Sequence, residues 1–334
     1  MRQRVRAFAT LAAVAILVLT AAILAGGLLS SQQLLVDQER ADREVSARAA
    51  AWAGIDATLS SLQTSWNAEE QTFDAWCASH AQELPPGGSL VSLSGRINLN
   101  SMTPFLLQDS ALVGTLLGRS VVDFTEYRMN EGPFARLEAY KDYFRPEALN
   151  RLYCVYSSFD VNTADEIILE KIITERTGDA SMAAYIRSRV RQFRTAQQTI
   201  GESDWEMLVG VYKDTIGDLV TIDPELDVNT ASADALQALL KDPDYKLEQA
   251  DAKVQTILNG RTARPWTDEA LRQALGLANT APLIQYLGTR CRFIEGAFPA
   301  GDSVMHFVAK LNYSKDSPPK ITARVVETRW ENAR

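Results

Sequence analysis

The chain has 334 residues, with 34 Lys and Arg against 42 Asp and Glu, a net charge of −8, 46% hydrophobic and 23% charged residues. That size fits about two domains, and the balance excludes a disordered, collagen-like or wholly coiled-coil chain. An acidic chain also argues against nucleic acid as the main partner, and three cysteines with no C-x-x-C pair argue against a disulfide scaffold or a metal-thiolate centre.

No charge falls between Ala7 and Leu29, and Arg2, Arg4 and Arg6 precede that stretch. About 20 apolar residues cross a bilayer, so 8–29 predicts one transmembrane helix of the cell inner membrane. The arginines would stay cytoplasmic and the bulk would be periplasmic. Gly26-Gly27 with Ser30-Ser31 imitates a signal-peptidase site, the alternative reading of the segment. Beyond it, Leu34, Leu35, Val45, Ala49, Trp52, Ile55, Leu59 and Leu62 recur at helical spacing between charged residues, with no breaker before Pro85-Pro86-Gly87-Gly88. One helix running from the first residues to about residue 65 is expected, either a coiled-coil stalk or a spine lying half under a sheet.

Ser89 to Asn100 alternates and predicts one strand, closing a spine region of 30–100. Residues 101–283 carry mostly helical periodicity. After them, within 284–334, Arg290 to Phe298, Val304 to Tyr313 and Ile321 to Trp330 read as a three-strand meander. In the middle strand Met305, Phe307, Ala309 and Leu311 share one face, while His306, Lys310 and Asn312 share the other. The expected fold class is α+β: a long N-terminal helix and an antiparallel sheet, with an all-α domain inserted.

The helical block contains a duplication. Asp160-Val161-Asn162-Thr163-Ala164 recurs as Asp227-Val228-Asn229-Thr230-Ala231, giving repeats near 159–200 and 226–277. Each copy leads into an amphipathic helix and then a second helix ending in Arg, at Arg194 and at Arg264. The valines are expected in the core, with Asn162, Thr163, Asn229 and Thr230 as helix caps. This plan is similar to the helix-hairpin-helix family, which includes membrane-anchored DNA receptors whose glycine-rich hairpins cradle phosphate. The corresponding hairpin here, from Lys241 to Glu248, lacks glycine and carries Asp242, Asp244 and Glu248; the other copy offers Thr177-Gly178-Asp179. The scaffold is present without the phosphate nest, so no nucleic-acid partner is expected.

No enzyme signature stands out. His80 and His306 are far apart, and there is no H-E-x-x-H, nucleophile elbow or phosphate loop. The Asp242, Asp244, Glu248, Asp251 group is interrupted by Lys246 and lacks the turn glycine of an EF-hand, so a solvated acidic turn is the expectation. No catalytic residue and no cofactor are assigned.

In order, the N-terminal apolar helix, Ala47 to Ile55 (ARAAAWAGI), Gly95 to Asn100 (GRINLN), the D-V-N-T-A insert and the final meander resemble the K-class minor pseudopilins of the type II (general) secretion pathway. The resemblance implies a pilin-like fold with an insert of two SAM-like or helix-hairpin-helix units, and a tip subunit that starts a pseudopilus for export of folded proteins. It implies a leader of 1–7 cut by a prepilin peptidase between Ala7 and Phe8, and Ala12 at the position where most pilins carry a Glu. A subunit without that Glu suits the first place in a filament. Implied partners are other minor pseudopilins, the major pseudopilin, the peptidase and an inner-membrane assembly platform. Calcium, which the family's carboxylate stretch holds, is poorly provided for: Val121 to Tyr127 keeps Asp123 and Glu126. Cys154 with Cys291 is one disulfide pairing, with Cys77 also available. A tethered DNA receptor and a generic envelope scaffold are the alternatives.

Overall fold

The computed structural model describes residues 2–102, 107, 111–134, 136–156, 158–196, 198–217, 219–224, 226–241, 247–278, 282–314 and 318–332; the side chains of 2–19, 21–31, 111, 113 and 332 lie outside the description. The chain opens with α1 (Arg2–Ser65), a helix of 64 residues that continues through Gly26-Gly27. At 1.5 Å per residue it is a rod of roughly 95 Å. Its last turns are buried through Ala51, Ile55, Leu59 and Leu62, spaced to form one apolar face. That face lies under a four-stranded antiparallel sheet of order β1-β8-β9-β10. The strands are β1 (Ser89–Ser92), β8 (Phe293–Ala300), β9 (Ser303–Tyr313) and β10 (Ile321–Asn332). Met305, Phe307, Ala309 and Leu311 of β9 do point inward to the spine, with Trp66, Phe73 and Trp76 closing the end of the core. The helix α2 (Phe73–Ser79) carries the last two rings.

One expected strand is two. β1 stops at Ser92 and β2 (Ile97–Asn98) starts a separate pairing, because the chain turns between them under the helical block. Gly95 sits at that turn with Thr230 against it: an added Cβ would lie 2.5 Å from the Thr230 carbonyl oxygen. Gly95→Ala is therefore expected to destabilise by about 1–3 kcal/mol through overpacking against backbone. A urea midpoint unchanged from the parent would refute the close approach.

The helical block contains three copies of one unit, one more than the sequence repeat. Each opens on a two-residue strand and closes on another parallel to it: β2 with β3 (Tyr153–Cys154), β4 (Phe159–Asp160) with β5 (Val220–Thr221), and β6 (Leu226–Asp227) with β7 (Leu287–Gly288). Between them the first copy holds α3 (Val121–Glu131) and α4 (Pro146–Leu152). The second holds α5 (Glu166–Thr177), α6 (Ala180–Thr195), α7 (Glu202–Val209) and α8 (Lys213–Ile216). The third holds α9 (Ala233–Leu240), α10 (Ala250–Ala263) and α11 (Asp268–Leu275). Closing strands lead directly into the next opening strand, and the last leads into β8, so the block is a continuous insertion between neighbouring strands of the sheet.

Localisation needs correction. Among the described residues no helix is long and apolar enough to cross a membrane. Residues 8–29 are not counted as a span, and the inner-membrane, single-pass, periplasmic placement is withdrawn with it. Where the side chains of α1 are described continuously, from Gln32 onward, Asp37, Glu39, Arg40, Asp42 and Arg43 put charge on successive turns and are exposed, which no hydrocarbon layer accepts.

Candidate functional site

Two features of the molecule bear on function: the free part of the spine helix and the joint between the helical block and the sheet. Residues 32–46 of α1 are exposed, so the helix stands clear of the sheet before Ala47. Leu34 (70% exposed), Val45 (67%) and Trp52 (41%) lie along it. Spacings of 11 and 7 at 100° per residue bring these three within about 20° of one another. They form an apolar stripe beside the face buried under the sheet. Such a stripe takes ridges of another helix. The rod is braced at its base: Arg48 pairs with Glu44 at 2.5 Å and sits 5.0 Å over the Trp330 ring of β10.

The joint is built from the repeat motif. In the second copy the Asp160 carboxylate accepts from the Asn162 backbone N–H (3.0 Å) and the Thr163 hydroxyl (2.9 Å). Asn162 exchanges two bonds with Ile200, and Arg194 donates to the Val161 and Ala164 carbonyls. The third copy repeats this with Asp227, Asn229, Thr230, Trp266 and Arg261. In the first, Asn98 accepts from the Asn100 N–H, Asn100 exchanges two bonds with Phe134, and Arg128 donates to the Leu99 and Met102 carbonyls. Leu99, Val161 and Val228 are the buried plugs. Each motif thus turns the chain off its strand, and an arginine from a helix of the same copy ties down the carbonyls that the turn exposes.

The cap assignments change accordingly. Asn162, Thr163, Asn229 and Thr230 hold the turn; the caps are Asp165, accepting from Ile167 and Ile168, and Ser232, accepting from Ala235. The clamping arginine of the third copy is Arg261, and Arg264 is exposed. The first copy escaped the sequence reading because Asn98-Leu99-Asn100-Ser101-Met102 shares shape with the repeat but only one letter. Its signal was the spacing of two asparagines behind Ile97.

The third copy meets the sheet through its motif. Thr230 Oγ1 lies 3.0 Å from Ser92 Oγ of β1, which lies 3.2 Å from Cys291 Sγ, and the Asp227 N–H donates to the Ser94 carbonyl at 2.7 Å. Asp227 is fully enclosed there. Burial pushes its carboxyl up to about 7, with Asp74 adding to the rise, against the opposing pull of the Asn229 N–H, the Thr230 hydroxyl and Arg261. A carboxyl raised in the folded state loses stability as pH climbs from its unfolded value near 4 to about 7. Asn98, at the same place in the first copy, has no such charge. Asp227→Asn is expected to hold its melting temperature better than the parent between pH 4 and 8, the gap widening as pH rises. A pH-independent gap in paired thermal scans would refute it.

Neither the possible Cys154–Cys291 pairing nor one with Cys77 is formed; all three cysteines are free thiols. Cys154 packs with Leu93, Tyr156, Phe293 and Val308, whereas Cys291 belongs to the core over the spine, so the two face different cores. Cys77 is half-buried, and burial first, then Asp74, pushes its thiol up to about 12.

Ala7, Phe8 and Ala12 lie in the α1 backbone, but their side chains are outside the described residues, as are Asp242, Asp244 and Lys246. Asp123 is used in a capping box with Ser120, at the start of α3 rather than in a loop. At Thr177-Gly178-Asp179, Gly178 ends α5 with φ 70°, and the Asp179 carboxylate accepts from the Met182 N–H at the start of α6. That carboxylate occupies the donors a phosphate would need. His80 stacks on Trp76 at 4.5 Å, and His306 stands 3.4 Å from Glu331. Among the described residues no group of three His, Cys, Asp or Glu is placed to hold a metal ion.

Among solved structures, the chain is similar to the GspK-GspI-GspJ complex from the enterotoxigenic Escherichia coli type 2 secretion system, with 13% identity and a TM-score of 0.33 over 90% of this chain and 99% of that chain. A TM-score of that size carries no function across. No family profile and no curated protein matches the chain.

Proposed function

We propose that this chain is a K-class minor pseudopilin: a structural subunit at the tip of a type II secretion pseudopilus that starts its assembly for export of folded proteins. The observation that carries the reading is the spine helix, roofed by one sheet over its last turns and presenting the Leu34, Val45 and Trp52 stripe above them. A filament of such subunits is held by helix against helix, and that stripe is the surface another spine would cover. The order of segments that resembles the family supports the same reading, as does Ala12 in place of a pairing Glu. The insert between β1 and β8, read as SAM-like units, supplies bulk suited to an end position and unsuited to a place within a stack.

In this reading the partners are other minor pseudopilins and, below them, the major pseudopilin, with Ala7-Phe8 as the peptidase site. Co-expression of the full chain with the minor pseudopilins of its own secretion system tests it. A stable complex isolated by size-exclusion chromatography is the expected result; a folded chain that elutes alone in every combination would sink it.

A further inference from the structure

β10 ends the sheet order, so one of its long sides has no strand beside it among the described residues. Residues 324–329 of β10, with Phe293 of β8 at the floor, line a groove of about 720 Å³ whose other wall is Arg136, Ser158 and Arg176 of the helical block. Four arginines line it, Arg136, Arg176, Arg324 and Arg329, against one acid, Glu327, on a chain whose net charge is −8. Arg329 is committed to Glu295 at 2.9 Å, whereas Arg136 meets Glu331 only at 3.9 Å.

Two further observations point to a ligand. Ser158 is 3% exposed, and its hydroxyl oxygen has no hydrogen-bond partner among the described residues. A buried hydroxyl in that state costs about 1–3 kcal/mol, which an incoming polar group would recover. The β10 ladder is also broken by a bulge between Val325 and Glu327, leaving Val326 40% exposed in the groove wall. Bulges re-aim an edge. Six consecutive strand residues extend about 20 Å, far longer than a single anion and matched to an extended chain.

We propose that this groove receives an extended acidic segment of a partner protein, laid beside β10 as an added strand, with its carboxylates on Arg136 and Arg176. Backbone pairing along an edge gives affinity and alternate side chains give selectivity in such additions. The proposal does not depend on the pseudopilin reading, since it concerns the sheet edge and not the spine helix.

The test is fluorescence anisotropy of the full chain with a labelled ten-residue Glu-Thr alternating peptide, with a Lys-Thr peptide and inorganic phosphate as comparators. Expected are salt-sensitive binding of the Glu-Thr peptide, new amide-exchange protection at 324–329, and at least about tenfold weaker binding in Arg136→Glu/Arg176→Glu. Both sites are exposed, so the variant's melting temperature should match the parent's. Equal binding of the Lys-Thr peptide, indifference to the double substitution, or no binding at all would each overturn the proposal. Displacement by phosphate without protection of 324–329 would overturn it in favour of a point-anion site.

Discussion

Arg128→Met is expected to destabilise the first repeat by roughly 3–5 kcal/mol, the cost of leaving one member of a buried ion pair alone. The Arg128 side chain is fully buried and donates to Asp165 Oδ2 at 3.0 Å, Leu99 O at 3.1 Å and Met102 O at 2.5 Å, with Phe124 under its guanidinium at 5.2 Å. Asp165 caps α5, so this one arginine closes its own repeat and anchors the start of the next. Arg194 and Arg261 make the same pair of carbonyl bonds, with no short carboxylate partner among the described residues. Their replacement by Met should cost less, about 1–3 kcal/mol each, by loss of charged hydrogen bonds. Urea unfolding of the three variants checks the order. The informative control is Arg128→Met/Asp165→Leu, which removes both charges and should recover part of the loss. If the double variant is no better than the single, the ion pair is not what holds the two repeats together.

Much of this architecture was legible because it follows from period. Alternation in Met305, Phe307, Ala309 and Leu311 and the helical spacing of Ile55, Leu59 and Leu62 are burial patterns written directly in the chain, and those side chains are buried. The D-V-N-T-A duplication was legible because both copies kept their letters. What escaped was chemistry made across distance. The Arg128, Arg194 and Arg261 clamps reach carbonyl groups, and a carbonyl leaves no mark on sequence because every residue has one. The first copy was hidden for the same reason: Asn98 and Asn100 reproduce the turn's bonds with other side chains. The cap error has a local cause. Asn and Thr are favoured caps, but here the turn itself consumes them, and the capping task passes to Asp165 and Ser232. Cysteine pairing needed the knowledge that Cys154 and Cys291 face different cores, which no spacing contains.

Val45→Glu/Trp52→Glu is expected to abolish co-purification with partner pseudopilins while leaving the isolated chain folded. Val45 is 67% exposed and Trp52 41% exposed, so neither contributes much to the sheet–spine core, and a carboxylate at either position stays in water. In a helix–helix interface the same positions become central. Truncating a well-packed aromatic anchor costs about 2–4 kcal/mol, and burying a new carboxylate adds a further penalty. Two such changes on one stripe should weaken association by at least about a thousandfold, measured by titrating labelled chain with its partner. The helix is present with or without the substitutions, because Glu is a good helix former and the stripe lies outside the buried face. The substitutions therefore separate two explanations for the long rod. If the variant retains full affinity, the exposed half of α1 is a spacer, and the partner contacts must be sought on the helical block. If affinity collapses with the melting temperature unchanged, the stripe is the contact surface and the sheet beneath it only sets the direction in which the helix is offered.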